Sequence, residues 1–340
     1  MGCRNSSQSH LLFKTQGVNM KHFLNNFFSR RQAVVAMALS ALLPLNASAQ
    51  KSPEPLRIGF QKSASLLTLL KSQGTLEKRL APLGVEVKWV EFPAGPQLLE
   101  GLNVGSIDFG YVGEAPPIFA QAAGANFIYV GYELPAPGAE AVIVPKDSAI
   151  RSVSDLKGKK VALNKGSNVH YLLVRLLEKH GLKYDDIQTV FLPPADARAA
   201  FERGSVDAWV IWDPFLAAAE RQLGARQIAD GRGVVNNHAF FLAARTYAER
   251  RQDVINLLFE VLSRQGQSIT KDYRSAAQAL SPLQGLTPDV IELSLRRYSH
   301  DVRPLNTAVI AEQQKIADVF SDLKLIPRKI SVRDAAPLLK

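Results

Sequence analysis

The chain has 340 residues, 46% hydrophobic and 21% charged, with a formal net charge of +10. Five basic residues (Arg4, Lys14, Lys21, Arg30, Arg31) and no acidic one precede Gln50, so the remainder carries 36 basic against 31 acidic side chains, a net +5. Those charges alternate in sign along helical patterns and form no basic stripe with interleaved aromatics, which argues against a nucleic-acid partner.

Residues 21 to 49 run from Lys21, Arg30 and Arg31 through AVVAMALSALLPL to Ala47-Ser48-Ala49. A charged start, an apolar middle and a small-residue end are the three parts of a secretory signal. The apolar stretch is shorter than the roughly 20 residues of a membrane span, and no second candidate follows. Residues 1 to 49 are therefore read as an N-terminal extension and cleaved signal peptide, with Met20 as the natural start. Ser29-Arg30-Arg31-Gln32 resembles a twin-arginine signal, although Ala33 and Val34 stand where Phe and Leu are preferred, so two export routes stay open. The single cysteine, Cys3, lies in that extension, so no disulfide is expected in the exported chain and its stability must come from burial.

From residue 54 the chain repeats a short apolar strand, a small polar loop and a helix. LRIGF leads through QKSAS to LLTLLKSQG, VEVKWVEF through PAGP to QLLEGLNVG, and IDFGYVG through EAPP to IFAQAAG. A second set follows: KKVALN, KGSN and VHYLLVRLLEKHG; IQTVFL, PPAD and ARAAFERG; VDAWVIW, DP and FLAAAERQLG. Such alternation predicts an α/β fold with parallel sheets, whose ligand crevice lies beyond the carboxyl ends of the strands. The loops open onto helix N-termini, where unpartnered N–H groups favour an anion. Pro96, Pro116, Pro117, Ser167, Asn168 and Asp196 mark these entries.

Two apolar strands, EAVIVP (140–145) and HAFFLA (238–243), have no helix pattern directly behind them and read as crossings between two lobes. The expected division is 50–141 with 240–340 for lobe one and 142–239 for lobe two, with a cleft between. LLFEVLSRQGQSI, PDVIELSLRRY and NTAVIAEQQKIADVFSDLKLI show helical spacing and are expected to wrap lobe one. No Gly-x-Ser-x-Gly or His-Glu-x-x-His occurs, and the four histidines after Gln50 (His170, His180, His238, His300) lack metal-ligand spacing, so the sequence points to neither an enzyme nor a metal or cofactor site.

WVEFPAGPQLLEGLNVGSIDFG, EAPPIFAQAAGANFIYVG, DLKGKKVALNKGSNVHYLL and above all PADARAAFERGSVDAWVIWDPF span most of residues 56 to 216. In their order the chain resembles the periplasmic substrate-binding proteins of ABC importers, and among these the aliphatic sulfonate-binding proteins. The resemblance implies a type II-like two-lobed binding protein, monomeric, that closes on an alkanesulfonate in the periplasm. It also implies delivery of the ligand to an inner-membrane permease driven by a separate ATPase. Two departures stand out. FQKSAS lacks the Tyr and Gly often found around the Gln-Lys pair, and YVGEAPP carries Tyr111 and Glu114 where a small residue and an Asp are commoner.

A sulfonate is ionised at every physiological pH, so it needs donors and no proton switch. The expected donors are Gln61, Ser63, Gly95, Gln97, Ser167, Asn168 and His170. Arg198 is the candidate charge partner, because a guanidinium offers a planar pair of donors to two oxygens; its alternative is pairing with Asp196 or Glu202. Trp212 is a candidate wall for the alkyl tail or else a core residue. Asp213 reads more naturally as a helix cap or inter-lobe latch, and Glu114 as an acceptor from a ligand ammonium or from Lys62. The same fold also serves taurine, sulfate esters, nitrate and thiamine-precursor pyrimidines, and an exported hydrolase is the remote alternative.

Overall fold

The computed structural model describes residues 54 to 339; the expected signal peptide, the Met20 start and Cys3 lie outside them. The first three strand–helix units form as expected. β1 (Glu54–Phe60) leads to α1 (Ser65–Gln73) and the short α2 (Thr75–Leu80), β2 (Val85–Glu91) to α3 (Gly95–Asn103), and β3 (Phe109–Gly113) to α4 (Ala115–Ala122). β4 (Phe127–Glu133) follows, and after a crossing β5 (Glu140–Val144) opens the second sheet. There β6 (Lys160–Leu163) precedes α5 (Asn168–Lys179), β7 (Gln188–Phe191) precedes α6 (Pro194–Glu202), and β8 (Ala208–Trp212) precedes α7 (Phe215–Leu223). β9 (Arg226–Asp230) ends that sheet. β10 (Ala239–Ala244) returns to the first, followed by α8 (Arg245–Arg250), α9 (Gln252–Lys271), α10 (Tyr273–Gln284), α11 (Pro288–Leu295), β11 (Val302–Arg303) and α12 (Thr307–Asp322).

The first sheet has the order β11-β4-β10-β3-β1-β2 and the second β7-β6-β8-β5-β9. Strands joined by helices pair in parallel, as in β1 with β2 and β3 and in β6 with β7 and β8. The two crossing strands do not: β10 runs antiparallel between β3 and β4, and β5 antiparallel between β8 and β9. Both sheets are thus mixed and not wholly parallel. A strand entering from the other sheet starts at the carboxyl edge and runs back, so it must oppose its neighbours. Ala239 consequently lies beside Gly113, the last residue of β3, and Glu140 beside Trp212, the last residue of β8.

β10 is buried on both faces, which explains its unbroken apolar run. Phe240 and Leu242 join the core shared with α3, α4 and α12, whereas Phe241 and Ala243 face α1 and α9. Two expectations need correction. HAFFLA does have a helix directly behind it, α8, because Ala244 turns the chain at the end of the strand. The C-terminal helices do not serve the first sheet alone. α11 buries Val290 against Ala217 and Ala218 of α7, and Phe320 of α12 meets the rings of His170 and Tyr171 on α5 at 5.6 and 5.7 Å.

Candidate functional site

Four helices of eight residues or more begin at one cleft. Gln61 and Ser63 precede α1, Gly95 starts α3, Gly113 and Pro116 flank the start of α4, and Ser167 and Asn168 form the N-cap and first residue of α5. The cleft spans ≈ 440 Å³ of space, part of it open to solvent. Its tightness depends on two glycines. A Cβ on Gly95 would sit 2.7 Å from the Pro116 side chain, and one on Gly113 would sit 2.1 Å from Asn168 Oδ1.

The crossing segment supplies the facing wall through Asn237, His238 and Ala239, together with the aromatic residues Tyr111, Trp212 and Tyr298. Among the described residues no Lys, Arg, Asp or Glu lines the cleft. His238 places its Nδ1 3.0 Å from the Glu133 carbonyl, and burial lowers its pKa, which favours the neutral ring. The cleft therefore offers an anion helix ends and dipoles and no formal positive charge.

Several side-chain donors are already engaged. Gln61 Nε2 donates to the Tyr111 carbonyl at 3.2 Å and Ser167 Oγ to the Asn164 carbonyl at 2.7 Å. Asn168 joins the two halves: its Oδ1 accepts from Ala115 N at 3.1 Å and its Nδ2 donates to Asn237 Oδ1 at 2.6 Å. It is a clasp between α5, α4 and the crossing segment, which is why Gly113 must lack a side chain. Tyr111 Oη donates to Glu133 Oε2 at 3.3 Å and Tyr298 Oη to the Asp213 carbonyl at 3.1 Å.

Of the residues expected from sequence, Gln61, Ser63, Gly95, Ser167, Asn168 and Trp212 meet at the cleft. Five do not line it. Gln97 sits in the first turn of α3, one step past the cleft edge. Arg198 donates from Nε to Glu202 Oε1 at 2.6 Å and from Nη2 to Gln222 Oε1 at 2.9 Å, because its i,i+4 partner lies on the same helix face. His170 is wholly buried, its Nε2 2.8 Å from Tyr184 Oη and its Nδ1 accepting from Gly166 N; burial pushes its pKa down to about 4. Asp213 both caps α7, accepting from Ala217 N at 2.9 Å, and pairs with Arg297 at 3.2 Å. Glu114 lies behind the cleft floor, its Oε2 accepting from His238 N at 2.8 Å while its Oε1 has no partner. Lys62 instead donates to the Gln284 carbonyl.

Sequence patterns single out Tyr111 and Pro116 for other reasons but give no sign of a cleft role for Gly113, Asn237, His238, Ala239 or Tyr298. The first four follow from the antiparallel entry of β10 at the carboxyl edge. Tyr298 follows only from the packing of α11 onto α7, which leaves no local sequence signal.

A model of the NMT1-like family matches residues 49–281. A protein of Escherichia coli (strain K12) named for aliphatic sulfonate binding is 47% identical over 305 residues, covering 88% of this chain and 95% of that one. The chain belongs to the NMT1-like family and, within it, to the aliphatic sulfonate-binding proteins. Two solved structures agree with this family assignment. The alkanesulfonate-binding protein SsuA from Xanthomonas axonopodis pv. citri, bound to MOPS, superposes with a TM-score of 0.80 at 44% identity, covering 84% of this chain and 98% of that one. The periplasmic aliphatic sulphonate binding protein SsuA from Escherichia coli gives 0.76 at 46% identity with the same coverage. This member of the aliphatic sulfonate-binding proteins has the periplasmic binding protein fold.

In this family member Gly113→Ala drives a methyl group into the Asn168 clasp. It should lower unfolding stability by about 1–3 kcal/mol, read from denaturant midpoints. Glu114 yields a second expectation. Burial pushes its carboxyl from 4.5 up to about 7, so through that interval the native protein holds a proton that the unfolded chain has released. Its contribution to stability is present at low pH and is lost as pH rises through 7, by an amount of order 3 kcal/mol. Comparing wild type with Glu114→Gln by denaturation at about pH 5 and pH 8 should show a smaller decline in the variant.

Proposed function

We propose that the chain is the periplasmic solute-binding component of an ABC importer for aliphatic sulfonates, supplying sulfur to the cell. The observation that carries this reading is the convergence of four helix N-termini on one cleft free of formal charge. A sulfonate is a permanent monoanion with three acceptor oxygens, and first-turn N–H groups without intrahelical acceptors suit it. Each hydrogen bond to a charged group contributes about 1.5–3 kcal/mol. Four ends supply roughly 6–12 kcal/mol before lost freedom is subtracted, so micromolar binding, about 8 kcal/mol, also needs burial of the alkyl chain. The α4 end contributes less, since Ala115 N already serves Asn168. Trp212, Tyr111 and Tyr298 form the apolar wall for the alkyl chain.

The two sheets are read as two lobes, 50–141 with 240–340 and 142–239, closing about the crossings between Glu133 and Glu140 and between Asp230 and Ala239. Ligand that touches both lobes stabilises the closed form by its differential affinity, and that form is what the permease engages, with a separate ATPase driving transport. Export to the periplasm, with cleavage near Ala49, agrees with the signal pattern of residues 21–49. Among the described residues no helix is long and apolar enough to cross a membrane. The chain acts as a monomeric carrier and catalyses no reaction.

Calorimetric titration with linear alkanesulfonates, taurine, sulfate and nitrate tests the reading. Alkanesulfonates should bind at micromolar or tighter affinity and sulfate and nitrate should not; binding of another solute alone would discard the substrate. In the same assay Arg198→Ala should leave sulfonate affinity unchanged, because its guanidinium is engaged by Glu202 and Gln222; a loss of tenfold or more, about 1.4 kcal/mol, would return it to the site.

A further inference from the structure

The cleft is backed by carboxyl groups. Glu114 is 1% exposed and lies between two lining residues, Gly113 and Pro116; Glu133 is 3% exposed and is reached from the lining residue Tyr111 through one hydrogen bond. Glu140, beside Trp212 at the start of β5, is fully buried with neither carboxyl oxygen partnered. Asp213 has a counter-ion in Arg297. Among the described residues neither Glu114 nor Glu133 forms a salt bridge. A negative ligand placed among these groups meets uncompensated acids unless they carry protons.

The surroundings of both groups reinforce this. Facing Glu114 are Glu312 from α12, Glu140 from β5, Tyr171 from α5, and the backbone N–H groups of Asn237 and His238. Facing Glu133 are Tyr111 from β3, Asp301 before β11, Tyr298 after α11, and the neutral ring of His238 at its carbonyl. None of these neighbours is cationic. Burial raises both carboxyls to about 7, and burial together with the charge of Glu114 raises Glu140 well above the usual carboxylate range.

We propose that Glu114 and Glu133 tie ligand affinity to pH: entry of the anionic head group drives proton uptake by these two carboxyls, so the ligand is held tightly in mild acid and released as pH rises. The inference rests on the sulfonate reading and adds a regulation of that same site. A sulfonate does not itself titrate in this range, so any pH dependence belongs to the protein. The sign follows from linkage. A nearby negative charge raises a carboxyl's pKa further, so the complex binds more protons than the free protein and affinity falls with increasing pH.

The test is calorimetry with 1-butanesulfonate in cacodylate, imidazole and Tris, whose ionisation enthalpies differ. MOPS and other sulfonate buffers must be avoided, since they are candidate ligands. The observed enthalpy should vary with buffer in the sense of net proton uptake near pH 7. A shift of one pKa unit is worth tenfold in each group, so affinity should be about tenfold weaker near pH 8.5 than near pH 6 if one carboxyl responds, and more if both do. Uptake should fall in Glu114→Gln and vanish in the double variant with Glu133→Gln. Binding with a buffer-independent enthalpy and a flat pH profile in the wild type would overturn the proposal alone, with no variant required to fold. So would uptake unchanged in the double variant. No heat with 1-butanesulfonate at any pH would overturn the sulfonate reading and this proposal with it.

Discussion

An anion can be held out of water only where its charge is answered, and in the proposed site the answer must come from backbone dipoles, because among the described residues no cationic side chain lines the cleft. Helix N-termini supply such dipoles only if several point at one place. Parallel strands followed by helices achieve that without special residues, because every strand-to-helix turn falls on the same edge of its sheet. The two sheets bring two such edges together, and α1, α3, α4 and α5 all begin there. The crossing strands obey the same geometry. Entering at that edge, β10 delivers Asn237 through Ala239 to the cleft and β5 delivers Glu140 just behind it.

The buried acids seem opposed to this purpose until their partners are followed. Asp213 is tied to Arg297, which also bonds Glu220 at 2.6 Å, and Tyr298 beside it reaches the Asp213 carbonyl. That cluster fastens the segment after α11 to the β8–α7 turn. Glu114 and Glu133 have structural work as well, one accepting the His238 N–H and the other the Tyr111 hydroxyl. Each fixes a residue of the cleft wall. Their burial makes them acids that hold protons near neutrality, and on the proposal above the position that braces the wall also exposes them to the charge of a bound ligand.

What could be read in the sequence follows from which signals are local. Strand–loop–helix periodicity gave the six repeated units, and their loops gave Gln61, Ser63, Gly95, Ser167 and Asn168, because cap and turn chemistry is written within a few residues. Arg198 failed for an equally local reason: Glu202 stands four residues away on the same helix, and that nearby partner prevailed over a distant ligand. His170 had the right address but the wrong side of the helix, facing Phe119, Tyr184 and Phe320. Tyr298 bonds the Asp213 carbonyl and Asn168 bonds Asn237, pairs 85 and 69 residues apart, and such pairings exist only once the sheets have formed.

The place of Tyr298 in the wall also bears on how the chain comes into being. A chain emerging from a ribosome or a translocation pore presents its α1, α3, α4 and α5 ends early. The wall stays incomplete until residue 298 of 340 has followed and α11 has docked on α7. Ligand stabilises only what it can bind, so it cannot draw a partly emerged chain into the native form. The ligand's share of the stability is therefore gained only after nearly the whole chain has been made, and everything before that point must rest on its own burial.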